Sequence, residues 1–319
     1  VTGGGAGDLA WLHEPVDNYA GTPTDTDYKA VGIDAQLDDL TIENALQRLR
    51  NFSTEAKQSI ETTFEGAISV TGTVTEDTCW LLNHVFGSPP SESGDGPYQY
   101  TWDVTTQRAQ SARFYVGLDY INGFAERALK GVCFPQIELT INRGETITFS
   151  ATGFFADEEL ATSATPGSEP STTSDPFVFH GGNLSLDSTD QKKMESASLT
   201  IQTGIRPQRG WERKPTDAVL GAEEHTLSAT KIVDSTDLLT TTYGNSTAPT
   251  TSVNSVSSVP GELVAGNGSE TLTIDMPRVT PDSHSWDEIG NADGDKTESP
   301  ELFVDTLTST LETDTASAL

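Results

Sequence analysis

Residues 60–87, IETTFEGAISVTGTVTEDTCWLLNHVFG, decide how the rest of the chain reads. Ile60, Thr62, Phe64, Gly66, Ile68, Val70 and Val74 fall on one face. Glu61, Thr63, Glu65, Ser69, Thr71 and Thr73 fall on the other, the period of a strand with one packed and one wet face. The period then changes. Thr75 suits an N-cap, with Glu76 and Asp77 at the positive end of a helix dipole. Trp80, Leu81, His84 and Val85 follow at helical spacing, and Gly87 suits the C′ position. The stretch predicts a long half-buried strand or hairpin feeding a short amphipathic helix.

The order returns in His225–Gly244, HTLSATKIVDSTDLLTTTYG. Leu227-Ser-Ala-Thr230 stands against Ile68-Ser-Val-Thr71, Leu238-Leu239 against Leu81-Leu82, and Tyr243-Gly244 against Phe86-Gly87. Ser235 takes the cap role. A spacing of about 157 residues is the scale of a duplicated domain, not of a solenoid repeat.

Across 319 residues, 48 acidic side chains oppose 18 basic ones, for a net charge of -30. Such a surface repels nucleic acid and anionic membranes wherever no local patch overrides it. Only eight of the basic residues are lysines. An acid-rich, lysine-poor chain resembles proteins of salt-in halophiles, whose self-repulsion molar salt screens. No run reaches the ~18 apolar residues of a membrane span. The N-terminus, VTGGGAGDLAWLHEP, lacks the basic start and apolar core of a signal peptide, so intracellular synthesis is expected. Cys79 and Cys133 make no disulfide framework or metal spacing and are expected as buried free thiols.

Residues 1–27 read as an extended arm with Trp11 and Leu12 as anchors for a neighbour. Residues 28–165 form a first β lobe and 166–319 a second, joined through the linker-like Ala161–Asp175. In the first lobe, Asn44–Lys57 reads as a helical turn or exposed loop, and Ile137–Ile141 with Thr146–Ala151 as a hairpin. In the second, Ala197–Ile205, Thr271–Met276 and Leu302–Leu311 alternate as strands, while Asn245–Gly261 and Pro281–Pro300 are long loops. The expected class is mainly β, with sandwich or barrel halves and two short helices.

Catalytic patterns are missing. His13, His84, His180, His225 and His284 lack ligand spacing, and there is no nucleophile elbow, P-loop or dinucleotide fingerprint. The acidic loop around Asn291, Asp293 and Asp295 breaks the EF-hand spacing. No catalytic residue, metal or cofactor is expected. Sequons stand at Asn51, Asn183, Asn245 and Asn267 as candidate glycosylation positions.

The order of segments resembles the major tail tube proteins of long-tailed viruses of prokaryotes. The resemblance lies in IENALQRLRNF, TTFEGAISVTGTV, TEDTCWLLNHVFG, GPYQYTW and KGVCFPQIELTINRGETITFSATGFFADEE, then DPFVFHGGNLSL, MESASLTIQTGIRPQRGW, GAEEHTLSATKIVDSTDLLTTTYG and SETLTIDMPRV. It spans Tyr28 to Leu311. The acidic composition and the two long loops depart from it, the first suggesting a haloarchaeal virus.

The resemblance implies a tail-tube-type β-sandwich or barrel that joins copies of itself into stacked rings. The resulting hollow tube in the virion surrounds a tape measure protein, ends at tail terminator and baseplate or tip proteins, and later passes double-stranded DNA. Such a protein is structural and does not insert in a membrane. With two lobes per chain, a ring of three gives a pseudo-sixfold lumen, with six single-lobe units as the alternative. Glu61, Thr63, Glu65, Ser69, Thr71 and Thr73 are then candidates for the lumen, or for an outer solvent face. Arg206, Arg209, Trp211 and Arg213 are candidates for contact with a neighbouring subunit's acidic face, or for DNA. The competing expectations are a halophilic surface-layer or adhesin-like β-sandwich module and a capsid decoration protein.

Overall fold

The computed structural model describes residues 7–24, 28–50, 56–103, 109–120, 123–160, 174–251, 256–287, 289 and 294–315. The chain is mainly β and its ladders are antiparallel. In the first half β1 (Gly7–His13), β2 (Lys29–Ala30) and β3 (Ile33–Glu43) precede a separate hairpin, β4 (Leu46–Arg50) with β5 (Ala56–Glu61). Then come β6 (Glu65–Thr73), a 3-10 turn (Glu76–Trp80), α1 (Leu81–Phe86), β7 (Ser91–Ser93) and β8 (Tyr98–Trp102). The half ends with β9 (Ala112–Tyr120), β10 (Gly123–Asn142), β11 (Thr148–Phe155) and β12 (Asp157–Leu160).

The second half has β13 (Val178–Leu186), β14 (Thr189–Asp190), β15 (Met194–Gln202) and a hairpin of β16 (Arg206–Gln208) with β17 (Asp217–Val219). It continues with β18 (His225–Ile232), α2 (Asp237–Tyr243), β19 (Val259–Gly266), β20 (Thr271–Asp287) and β21 (Thr297–Thr313).

The pairing order of one half recurs in the other. β3–β6–β11–β10–β9–β1 pair in that succession, and so do β15–β18–β21–β20–β19–β13. A separate hairpin lies between the first two strands of each series, and a helix follows the second. The sequence repeats with it: Asp39-Leu-Thr-Ile-Glu43 on β3 stands where Ser198-Leu-Thr-Ile-Gln202 stands on β15. Just beyond, Ala45 and Gly204 both take positive φ, +37° and +59°. For Ala45 this is a conformation that its Cβ disfavours.

The halves share a sheet. The second half of β10 pairs with β15, and β8 of the first half pairs with the end of β21. Among the described residues no ladder joins the two ends of the run β11–β10–β15–β18–β21–β20–β19–β13; one bridge does, Thr146 just before β11 to Val178 on β13, flanked by Ile147 N donating to Phe177 O at 2.9 Å.

Alternation in β6 buries Gly66, Ile68 and Val70 and leaves Glu65 and Ala67 exposed, as the period of two requires. Each fully buried Ile or Val contributes about 1.5–3 kcal/mol. The strand starts only at Glu65, however. Ile60 and Glu61 belong to β5, and Ile60 is exposed. Asn44–Lys57, read as helical turn or loop, contains β4 and the start of β5.

Thr75 precedes the helix, but its own N–H donates to Thr78 Oγ1 at 2.9 Å, so Thr78 supplies the capping hydroxyl. Gly87 and Gly244 end the helices at φ +80° and +64°, where a Cβ would be strained. At the second helix Thr236 holds the N-cap position, and Ser235 Oγ accepts from Asp237 N at 3.3 Å. α1 is buried along its whole length, whereas no residue of α2 is.

The cause lies at the N-terminus. Trp11 on β1 stacks on Trp80, centroids 3.8 Å apart, and Trp102 Nε1 donates to Asn83 Oδ1 at 2.5 Å. Trp11 and Leu12 are therefore taken up in the chain's own core instead of standing out as anchors for a neighbour. Residues 7–13 of the expected arm form a strand paired with β9, because the alternating Leu9, Trp11 and the β9 edge satisfy each other.

Candidate functional site

Carrying the β6 register across the shared sheet gives two interleaved rows. Leu37, Val70, Ala151, Ile137 and Ile201 face one another in succession on the packed side. Gln36, Thr71, Ser150, Glu138, Thr200 and Thr226 do so on the other side, crossing from the first half into the second. The second row is hydroxyl, amide and carboxylate throughout. Ser198 Oγ donates to Glu138 Oε1 at 2.6 Å across the junction of the halves. Such a surface offers hydrogen bonds and negative charge.

Of the expected wet-face set, Ser69 and Thr71 belong to this polar face and are half-buried. Thr73 is buried. Thr63 lies between strands, its hydroxyl 3.4 Å from Glu65 Oε1. Glu61 and Glu65 sit at the hairpin and at the start of β6, and both meet the basic cluster of the second half. Arg213 Nη2 lies 2.9 Å from Glu61 Oε2, and Arg209 Nη2 lies 4.0 Å from Glu65 Oε1. Arg209 also donates to Phe64 O at 2.8 Å, and Lys214 pairs with Asp157 at 2.5 Å.

Two members of each group, Glu61 and Glu65 with Arg213 and Arg209, are thus each other's partners within the chain. Arg206 and Trp211 stay exposed, Trp211 completely so. Opposite charges explain the attraction, but spacing in sequence could not reveal that the β16–β17 hairpin folds back over the first half.

Under that hairpin lies a second, small core of Tyr19, Ala109, Cys133, Ala156, Ile205 and Ala218. Next to this core stands a charged residue that no pattern in the sequence singles out. Glu14 is buried, accepting from Ser111 Oγ at 2.6 Å and from Gly131 N at 3.1 Å. Burial pushes its carboxyl up to about 7, against the pull of those donors and of Arg113. Gly131 itself sits at φ +67° on a bulge of β10, where a Cβ would meet Ala156 and Tyr19 at 2.9 Å. Burial holds the His84 imidazole down near 3 and also lowers His13.

Cys79 and Cys133 are free, buried thiols raised by desolvation. Asn51 and residues 291–293 lie outside the described residues. Asn183 and Asn245 are exposed. Asn267 is half-buried, its Nδ2 donating to Asp175 O at 3.0 Å. Among the described residues no His/Cys/Asp/Glu group could hold a metal ion, and no helix is long and apolar enough to cross a membrane.

The profile of the phage tail tube protein family matches residues 20–302. No curated protein matches the chain.

Proposed function

The chain belongs to the phage tail tube protein family, a viral tail structural protein, and we propose that it is the major tube subunit of a virus of a halophilic archaeon. Three copies, each with two related lobes, form a ring of pseudo-sixfold symmetry. Rings stack around a tape measure protein between a terminator and a tip complex, and double-stranded DNA later passes through the bore. The observation that carries the ring of three is the repeated pairing order, β3–β6–β11–β10 and β15–β18–β21–β20.

The bore is lined by the polar face of the shared sheet, with Ser69 and Thr71 on it and Glu61, Thr63 and Glu65 at its margin. Carboxylates there repel phosphate, and the Arg213 and Arg209 guanidiniums at the margin are engaged by Glu61 and Glu65. A net charge of -30 supports a molar-salt environment, where the Debye length falls to about 3 Å. Asn183 and Asn245, both exposed, stand as candidate glycan positions, with the half-buried Asn267 behind them.

Negative-stain electron microscopy of the purified protein in molar salt tests this. Hollow, cross-striated tubes with threefold end views are expected. Monomers or flat lattices at every concentration would favour a surface-layer protein instead.

A further inference from the structure

The chain contains, at the junction of its halves, a contact whose counterpart it leaves unmade. β15 gives one edge to β18 and the other to β10, with Gln202 opposite Gln136 through Ser196 opposite Asn142. Its counterpart β3 pairs with β6 alone, and among the described residues its other edge carries no ladder. The counterpart of β10 is β20. Beyond Val279 it pairs only with β21, so among the described residues the edge of 280–287 carries no ladder either. The two strands with open edges are the two whose counterparts bond to each other.

Exposure follows the same logic. Leu199 and Ile201 on β15 are 0% exposed, while Ile42, in the place of Ile201, is 39% exposed and Leu40 is half-buried. Trp286, in the place of Leu139, is 44% exposed. The hairpins agree. β16–β17, reached from β15, lies over the first half and buries Ala218. β4–β5, reached from β3 in the same way, leaves Leu46, Leu49 and Ile60 exposed. Apolar side chains on an open strand edge mark a surface that another strand covers.

We propose that the open edge of β3 takes the 280–287 edge of a second copy of this chain. The register is carried over from the internal junction through shared neighbours. Leu40 faces Ile68 as Leu199 faces Leu227, and Ser285 faces Ser299 as Glu138 faces Ser150. It sets Leu40 opposite Trp286, Thr41 opposite Ser285 and Ile42 opposite His284, antiparallel. The β4–β5 hairpin then lies over the second half of that copy, as β16–β17 lies over the first half of its own. Asp39 falls opposite Asp287, so the ladder forms in molar salt and loosens in dilute salt. The proposal rests on the ring-forming reading and names the edges that close the ring.

Tubes of a Thr41→Cys/Ser285→Cys variant, grown in molar salt and oxidised with diamide, test it on a non-reducing gel. Covalent dimers and closed trimers are expected. Neither single variant, nor a Gln36→Cys/Ser285→Cys variant displaced along β3, should give them. Tubes visible by microscopy without the 41–285 cross-link would overturn this ladder and leave the tube reading standing. A wild-type chain that forms no oligomer in any salt would overturn both.

Discussion

Arg213, in the connection of β16 and β17, lies 2.9 Å from the carboxylate of Glu61 on β5, tying the second half of the chain to a hairpin of the first. Both side chains are well exposed, at 39% and 55%, so the pair contributes under about 1 kcal/mol. Arg209 is more enclosed and donates to the main-chain carbonyl of Phe64. Arg209→Ala is expected to cost about 1–3 kcal/mol, since it strands a carbonyl as well as losing a charge-assisted bond. Arg213→Ala should cost little in dilute salt and nothing measurable in molar salt. Denaturant unfolding of both variants at the two salt levels checks the contrast.

The stacked Trp11 and Trp80 account for the burial of one helix and not the other. Trp11→Ala removes an indole that is 1% exposed and leaves a cavity against α1. A loss of about 3–5 kcal/mol is expected. Leu239→Ala, on the half-buried α2, should cost less than about 1.5 kcal/mol. Similar losses at the two positions, read from unfolding midpoints, would contradict this account of the asymmetry.

Two buried groups give opposing pH dependences. The Glu14 carboxyl is raised to about 7, so the folded chain binds a proton more tightly than the unfolded one. Its contribution is complete below the unfolded value of about 4.5 and is lost as pH rises through 7. The His84 imidazole is lowered to about 3, so its contribution is complete above about 6.5 and is lost as pH falls towards 3. Each pKa unit is worth about 1.4 kcal/mol. Glu14→Gln should flatten the decline between pH 5 and pH 8 relative to wild type. His84→Phe should flatten the decline between pH 6 and pH 4. Unfolding free energies measured across pH for the three proteins decide both.

What the sequence made legible was periodicity and punctuation. The Ile68/Val70 alternation, the glycines at 87 and 244, and the strand–helix unit at His225 all lie where local chemistry decides the outcome. β4 and β5 were hidden because Asn44–Lys57 alternates weakly and its apolar residues, Leu46 and Leu49, face outward. Trp11 reads from sequence as an anchor for a neighbour because nothing local shows that β9 has an edge to receive β1. The wet face of β6 was partly legible: Ser69 and Thr71 follow the period, while Glu61 belongs to a different hairpin. The repeated Leu-Thr-Ile of β3 and β15 was visible in the letters. It acquires meaning only beside the pairing order, since one copy is buried by β10 and the other is left open.

Lys231 and Glu298 provide a test of the sheet between β18 and β21. They are opposite one another in the ladder, 6% and 1% exposed, with Nζ 3.4 Å from Oε1. Lys231 also meets Asp234 at 3.0 Å and donates to Gln191 at 3.1 Å, while His284 Nε2 lies 2.9 Å from the other Glu298 oxygen. Removing one partner of such a pair strands the other charge in a poorly solvated site. Lys231→Met is expected to cost about 3–5 kcal/mol for that reason. Lys231→Met combined with Glu298→Gln should recover much of the loss, because no net charge then stays buried without a partner. A double-mutant cycle by denaturant unfolding measures the coupling, with at least about 1 kcal/mol expected. Strictly additive losses would mean that Asp234 and His284 each satisfy their partner alone, and that the cross-strand pair holds nothing together.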